Sequence, residues 1–382
     1  MLAFVTALTF TFAPSDGLPV RPAKSVGMSA ERLAAIDRVV NRGLKAGGFP
    51  GAAVVVGRRG ASVFQKGYGR LGWTPQSPAV TTGQSIYDLA SLTKVVGTTM
   101  AAMILYDEGR LELDAPVSRY LPMFSGGDRD YVTVRQLLTH RSGLPAGRDL
   151  WRLARNTTDA KYIVLSTPLT CAPGSCYIYS DLGADVLGWM VESITSQGLD
   201  AFLEERVFGP LGMNDTQFRP ADSLRTRIAP TEVSPPRGYP IRGEVHDENC
   251  WAFGGAAGHA GLFGTAAAAG DFARAVLGAL TGSDSRIAQA DMMRRFVTRA
   301  GTATGSRALG WDTMLPTSSC GTLMSPTAFG HTGFTGTTLW IDPEREIYVV
   351  FLTNRVNPTR ENTAIQQIRP ALHDAVIGAL DA

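Results

Sequence analysis

The sequence predicts an α+β fold, an α/β sandwich in which one antiparallel β-sheet is built from both termini, flanked by helices, with an inserted, mostly helical lobe. Three observations predict it. Residues 52–58 and 61–68 are β-rich apolar segments separated only by Arg59-Gly60, the pattern of a hairpin. Residues 337–342 and 347–354 repeat that pattern around Pro343 to Arg345. Between the two pairs, residues 91–270 carry helical spacing broken by Gly- and Pro-rich loops. Strand pairs at both ends with helices between them read as one sheet holding an inserted lobe.

Taken in order, the chain opens with the apolar stretch Leu2 to Ala13, followed by Pro14, Ser15 and Asp16. This stretch is too short to span a bilayer. It reads either as the hydrophobic part of an export signal, without the usual basic start, or as a short edge strand or frayed end. Residues 1–24 are therefore set apart as a signal remnant or disordered N-terminus. Residues 25–382 are read as a single domain, with a sheet lobe over 25–85 and 270–382 and a helical lobe over 86–269. Residues 28–46 predict an amphipathic helix, capped by Ser29, apolar at Leu33, Ile36, Val40 and Leu44, and ended by Gly47-Gly48. Further helices are predicted over 94–108, 133–139, 182–195, 199–207 and 361–379.

With 44% apolar and 18% charged residues, the chain has the composition of a folded globular protein rather than a disordered one. Lys plus Arg number 36 against 34 for Asp plus Glu, a net charge of +2 with no basic run or acidic tail. Neither nucleic acid nor a membrane surface is expected as a partner, and no membrane span is expected. Lysine occurs only at positions 24, 45, 66, 94 and 161, so a lysine inside a motif carries weight. Cys171 and Cys176 flank the turn-forming Pro173-Gly174 and can close a disulfide loop if the protein is exported, whereas Cys250 and Cys320 have no local partner. No zinc-type spacing occurs, so neither a metal nor another cofactor is expected.

The strongest local signal is Ser91-Leu92-Thr93-Lys94. Residues three apart on a helix share a face, which brings the Ser91 hydroxyl to the Lys94 amine. A serine needs a base within reach to become a nucleophile, and a lysine withdrawn from water beside other positive charge can have its pKa lowered enough to help. Alone, the tetrapeptide fits a capping serine and a surface lysine equally well. Tyr179-Ser180-Asp181 follows the Pro-Gly turn and opens a helical run, a junction that can present a phenol into a cleft. A phenol titrates near pH ~10, so base work at neutral pH needs a nearby cation. Gly330-His331-Thr332-Gly333-Phe334-Thr335-Gly336 lies directly before a predicted strand, where glycines allow close approach of a substrate. The Phe334 N–H can then pair with that of Ser91 as an oxyanion donor.

Ser-x-x-Lys, Tyr-x-Asp and His-Thr-Gly, in that order, resemble the motifs of the class C β-lactamase, DD-peptidase and related esterase superfamily. Leu137 to Pro145, Val207 to Met213, Gly243 to Asn249 and Gly258 to Phe263 extend the resemblance, which covers residues 28 to 378. It implies an acyl-enzyme mechanism. Ser91 would attack a carbonyl, Lys94 would assist proton movement, and Tyr179 would serve as base and then acid. The Ser91 and Phe334 N–H groups would hold the oxyanion, and Asp181, His331, Thr332 and Gly333 would contact substrate. The expected partner is a small-molecule or peptide substrate, and the expected location is periplasmic or secreted, with the cytoplasm still open.

Two departures matter. Asp181 stands where asparagine often sits, and an ionised carboxylate only accepts hydrogen bonds. His331 stands where β-lactamases usually carry lysine, leaving little positive charge at neutral pH. Both favour an ester, or a peptide ending in D-amino acids, over a β-lactam as the substrate of a dedicated enzyme. The alternative is a penicillin-binding or sensor-type protein that acylates without turnover. Gly67 to Gly72 matches a dinucleotide-binding pattern, but Trp73-Thr74-Pro75 stands where a helix must begin, so it is read as a loop. His140 and His373 read as structural, His246 and His259 as cleft candidates. Loops 143–160 and 225–255, carrying Trp151 and Trp251, are expected over the cleft.

Overall fold

The computed structural model describes residues 18–301 and 305–381. The apolar stretch Leu2 to Ala13 lies outside them. One sheet has six strands, β1 (Gly51–Arg58), β2 (Ala61–Gly69), β6 (Asp312–Thr313), β7 (Phe329–Thr332), β8 (Thr338–Asp342) and β9 (Ile347–Thr353), in the order β2-β1-β9-β8-β7-β6. Every neighbouring pair is antiparallel. The N-terminal hairpin thus meets the C-terminal one through β1 and β9, with Val54 opposite Phe351. Both predicted hairpins are present, and the sheet is built from both ends of the chain.

Alternation along these strands decides what packs where. Ala52, Val54 and Val56, with Trp340, Val349 and Phe351, face a core shared with Ile36, Val40, Ile368 and Leu372 of the helices Ala35–Lys45 and Ile365–Ile377. Ala53, Val55, Val350 and Leu352 face the opposite way, onto Phe272 and Val276 of the helix Ala266–Thr281. Both faces are covered, so the strands are apolar throughout rather than alternating. Each fully buried Val or Phe contributes about 1.5–3 kcal/mol to this sandwich. The predicted 28–46 helix is split at Ala34 into two pieces, the first capped by Ser29, whose Oγ accepts from Arg32 N at 3.2 Å.

The inserted lobe is mostly helical, with Asp181–Thr195 as its long central helix. It also holds a feature the sequence did not suggest, a small sheet of β3 (Ile86–Asp88), β4 (Gln217–Phe218) and β5 (Leu262–Thr265), ordered β3-β5-β4. This sheet carries the chain into Ser91. The Gly67 to Gly72 segment, read as a loop, is part of β2 up to Gly69 and loop beyond it, and no helix follows at Trp73-Thr74-Pro75. A Cβ at Gly67 would strike the Val80 carbonyl, so close backbone packing accounts for that glycine. Among the described residues no helix is long and apolar enough to cross a membrane.

Candidate active site

Ser91 sits on a sharp turn. Ala90, directly before it, has φ +47°, an unfavourable left-handed conformation for a residue with a Cβ. Tight bonds continue the turn, with Leu92 N donating to Leu89 O at 3.1 Å and Thr93 N to Ala90 O at 2.9 Å. The predicted helix follows as a wide, π-type segment Lys94–Thr98 and then the α-helix Thr99–Asp107. Ser91 and Lys94 meet as the spacing predicts. Lys94 Nζ donates to Ser91 Oγ at 2.9 Å and to the His259 carbonyl at 3.0 Å.

A third neighbour changes the electrostatics. Asp181 Oδ1 lies 2.7 Å from Lys94 Nζ, a charge contact made off the axis of an aligned hydrogen bond. Burial works to strip the proton from Lys94, but attraction to Asp181 and then to Tyr179 outweighs it and holds the pKa above the usual lysine value. The expectation of a lowered Lys94 pKa is therefore corrected. It rested on neighbouring positive charge, whereas the immediate neighbour is a carboxylate. In this structure Lys94 is an ammonium that donates to Ser91.

Tyr179 is brought to the same place by the segment before the central helix. Ile178 N donates to His140 O at 3.0 Å, Ser180 N to His140 Nδ1 at 3.1 Å, and Ser180 Oγ to Pro145 O at 2.7 Å. Ser180 also caps the helix, its Oγ accepting from Gly183 N. A disulfide between Cys171 and Cys176 closes the loop leading in. The Tyr179 ring lies 5.0 Å from Lys94 Nζ, 5.1 Å from the Arg307 guanidinium carbon and 4.6 Å from the His140 ring. His140, read as structural, is thus the anchor of this segment and packs against the Tyr179 ring. Its left-handed φ of +56° turns it there.

His331 lies at the end of β7, its ring 5.9 Å from that of Tyr179. Its Nδ1–H donates to the Thr332 carbonyl at 2.8 Å, which leaves Nε2 as a bare acceptor without a hydrogen-bond partner among the described residues. Burial, reinforced by Arg307 and Lys94, pushes its pKa well below the histidine range. Gly333 N donates to Thr337 O at 2.8 Å and Gly336 N to Gly333 O at 3.1 Å, closing a tight turn that displays Phe334. The Phe334 ring, half exposed, stacks on His246 at 5.7 Å and under the Arg355 guanidinium at 4.4 Å. Arg369 Nη2 holds the Gly333 and Thr337 carbonyls at 2.7 and 2.9 Å.

Every residue singled out from the sequence, Ser91, Lys94, Tyr179, Asp181, His331, Thr332, Gly333 and Phe334, lies in or against one cleft of about 540 Å³. His246 and His259 line it as well. His259 bridges two carboxylates, with Nδ1 at 2.7 Å from Asp185 and Nε2 at 2.9 Å from Asp247. Burial opposes its charge, but Asp185 and Asp247 outweigh that and hold it well above the usual histidine pKa. Arg307, Arg369 and Asp247 were missed by sequence reasoning. Asp247 alone had a signal, its place beside His246 in a family-like segment. Trp151 and Trp251, expected over the cleft, are not among the residues lining it. They pack under Arg152 and Arg237 instead.

A helix-flanked antiparallel sheet, an inserted lobe and a Ser–Lys pair under a tyrosine define a serine hydrolase of the β-lactamase type. The chain belongs to the Beta-lactamase family, whose family model matches residues 36–373. A relative from Escherichia coli (strain K12), named "Putative D-alanyl-D-alanine carboxypeptidase", is 32% identical over 87% of this chain and 84% of its own. Among solved structures, a penicillin-binding protein homologue from Caulobacter crescentus superposes with a TM-score of 0.74 at 22% identity, covering 93% of this chain and 99% of that one. EstCE1, a hydrolase with promiscuous acyltransferase activity, superposes at 0.73 and 22% identity, covering 91% and 99%.

Proposed function

We propose that this serine hydrolase works through an acyl-enzyme on Ser91 and cleaves a small ester or a peptide ending in D-amino acids, in preference to a β-lactam. The observation that carries the reading is the 2.9 Å bond from the Lys94 ammonium to Ser91 Oγ on the floor of the cleft. A protonated Lys94 cannot accept the Ser91 proton, so the base is Tyr179, whose ring lies beside Lys94 and Arg307. Ser91 Oγ bonds to the substrate carbonyl carbon as its proton passes to Tyr179. The oxyanion is held by the N–H groups of Ser91 and Phe334, which have no hydrogen-bond partner among the described residues. Tyr179 returns the proton to the departing alcohol or amine, and water later repeats the sequence to free the acid.

Asp181 and the neutral His331 support the preference against a β-lactam, because neither offers a cation where the resembling β-lactamases carry one; the carboxylate of a D-amino-acid peptide would be left to Arg307 and Arg369, which line the cleft. The names of the Escherichia coli relative and of EstCE1 agree with a peptide or ester substrate. The Cys171–Cys176 disulfide supports an oxidising location such as the periplasm or the exterior. Residues 25–382 act as one catalytic unit in this reading, since both lobes contribute to the cleft. The test is intact-mass measurement after fluorophosphonate treatment, with p-nitrophenyl ester, D-alanyl peptide and nitrocefin turnover. Ser91→Ala should abolish both labelling and turnover while keeping the parental circular dichroism. Ester turnover at the parental rate by that variant would refute the reading.

A further inference from the structure

Asp88 is a buried carboxylate with no assigned part in the chemistry, placed where three segments of the site cross. Its Oδ1 accepts from Ala90 N at 2.8 Å, the N–H of the left-handed residue directly before Ser91. Its Oδ2 accepts from His246 N at 2.7 Å, across 158 residues of chain. Its own carbonyl accepts from Thr335 Oγ1 at 2.7 Å, beside Phe334. The next carbonyl, Leu89 O, accepts from Thr337 Oγ1 at 2.9 Å on the same turn. A generic turn aspartate would make only the first of these bonds.

Together they tie the Ser91 turn to the turn presenting Phe334, and both to the segment whose His246 ring stacks on Phe334. An oxyanion hole acts by holding its donors in place before the charge develops, so it requires a fixed relation between two backbone N–H groups remote in sequence. We propose that Asp88 is the positioning residue that sets the Ser91 and Phe334 N–H groups at one oxyanion; this rests on the acyl-enzyme reading above. Asp88 touches no substrate. It holds Ala90 in its strained conformation, and the Asp88 and Leu89 carbonyls, accepting from the Thr335 and Thr337 hydroxyls, set the height of the Phe334 turn.

Two variants test this. Asp88→Asn keeps the shape but turns one oxygen into an N–H₂ that faces a backbone N–H, breaking one of the two side-chain bonds. Thr335→Val keeps the shape and removes the hydroxyl on the Asp88 carbonyl. Loss of a whole oxyanion donor costs on the order of 100- to 1000-fold in kcat, so misplacement should cost about 10- to 100-fold for Asp88→Asn and about 3- to 10-fold for Thr335→Val. KM for a p-nitrophenyl ester should stay within about twofold, because ground-state binding does not use the developing charge. Affinity for phenylboronic acid, whose tetrahedral adduct places an oxygen in the hole, should fall in parallel with kcat. Thermal unfolding reports the fold of each variant, and if Asp88→Asn does not fold, Thr335→Val decides alone. Parental kcat and boronate affinity in the folded variants, or a loss appearing in KM alone, overturns the inference. A parent protein that fluorophosphonate leaves unlabelled at Ser91 overturns the acyl-enzyme reading itself, an outcome distinct from labelled variants at parental kcat.

Discussion

Asp181→Asn should move the ionisations that govern activity to lower pH, and the size of the shift follows from the geometry. Asp181 Oδ1 is 2.7 Å from Lys94 Nζ. At an effective dielectric constant of about 20, two unit charges at that distance attract by about 6 kcal/mol. The Asp181 side chain is 32% exposed, so water screens the pair. Halving the figure for that gives about 3 kcal/mol, or about two pH units. Asp181 favours the protonated lysine and, as an anion, opposes a phenolate nearby. Removing its charge therefore drives the proton loss of Lys94 downward, and with it the ionisation of the site that Lys94 governs. The assay is kcat/KM for a p-nitrophenyl ester against pH, backed by nuclear magnetic resonance of ¹³Cε-lysine, tractable because lysine is so scarce. The acidic limb of the rate profile and the Lys94 signal should both shift down by about one to two units. An unmoved limb, or one shifted upward, would show that the carboxylate does not govern this charge.

Three further expectations concern stability, the turn and the cysteines. Burial lowers the pKa of His373 to about 4, and pushes those of His140 and His331 well below the histidine range. These groups are neutral in the fold and take up protons when unfolded below pH ~6.5, so stability is present above that pH and is lost as pH falls toward 4. His373 alone accounts for up to about 3 kcal/mol of this loss, so urea midpoints should fall between pH 7 and about pH 4.5, and less steeply in His373→Leu. Gly333→Ala places a Cβ against the Leu89 carbonyl, the Thr337 hydroxyl and Ala90 Cβ. Both melting temperature and ester turnover should drop, and an unchanged enzyme would mean the turn is looser than described. Alkylation of the denatured, unreduced protein should block Cys250 and Cys320 only, with Cys171 and Cys176 reacting after reduction, as peptide mapping by mass spectrometry would establish.

The features legible in the sequence are those whose cause is local. The two hairpins announce themselves because β1 and β9 are buried on both faces and so form unbroken apolar runs flanked by turn residues. The Ser91–Lys94 contact follows from the geometry of a single turn. The small sheet was hidden because its strands are two to four residues long, below the length at which alternation becomes a signal. The protonation of Lys94 was misjudged for a related reason: the carboxylate that sets it arrives from another helix, and no local pattern announces a neighbour across the fold. His140 was read as structural, but the place it anchors could not be foreseen, since that depends on a left-handed backbone that turns it against Tyr179.

The charges around Ser91 form a coherent arrangement once their sources are separated. The resembling β-lactamases usually carry a lysine where this chain has His331, and His331 is buried and neutral. Positive charge is supplied instead by Arg307, stacked near Tyr179, and by Arg369, which is fixed to the carbonyls of the Gly333 turn. A guanidinium cannot serve as a proton donor or acceptor at neutral pH, so these groups shape the field without entering proton transfer. His259 repeats this logic beneath the site, where an imidazolium between two carboxylates holds the carbonyl that grips Lys94. Lys94 is therefore fixed from below by His259, from the side by Asp181, and from above by Ser91. In the proposed mechanism the proton that must move during acylation is therefore left to Tyr179, whose ring lies 5.0 Å from Lys94 Nζ.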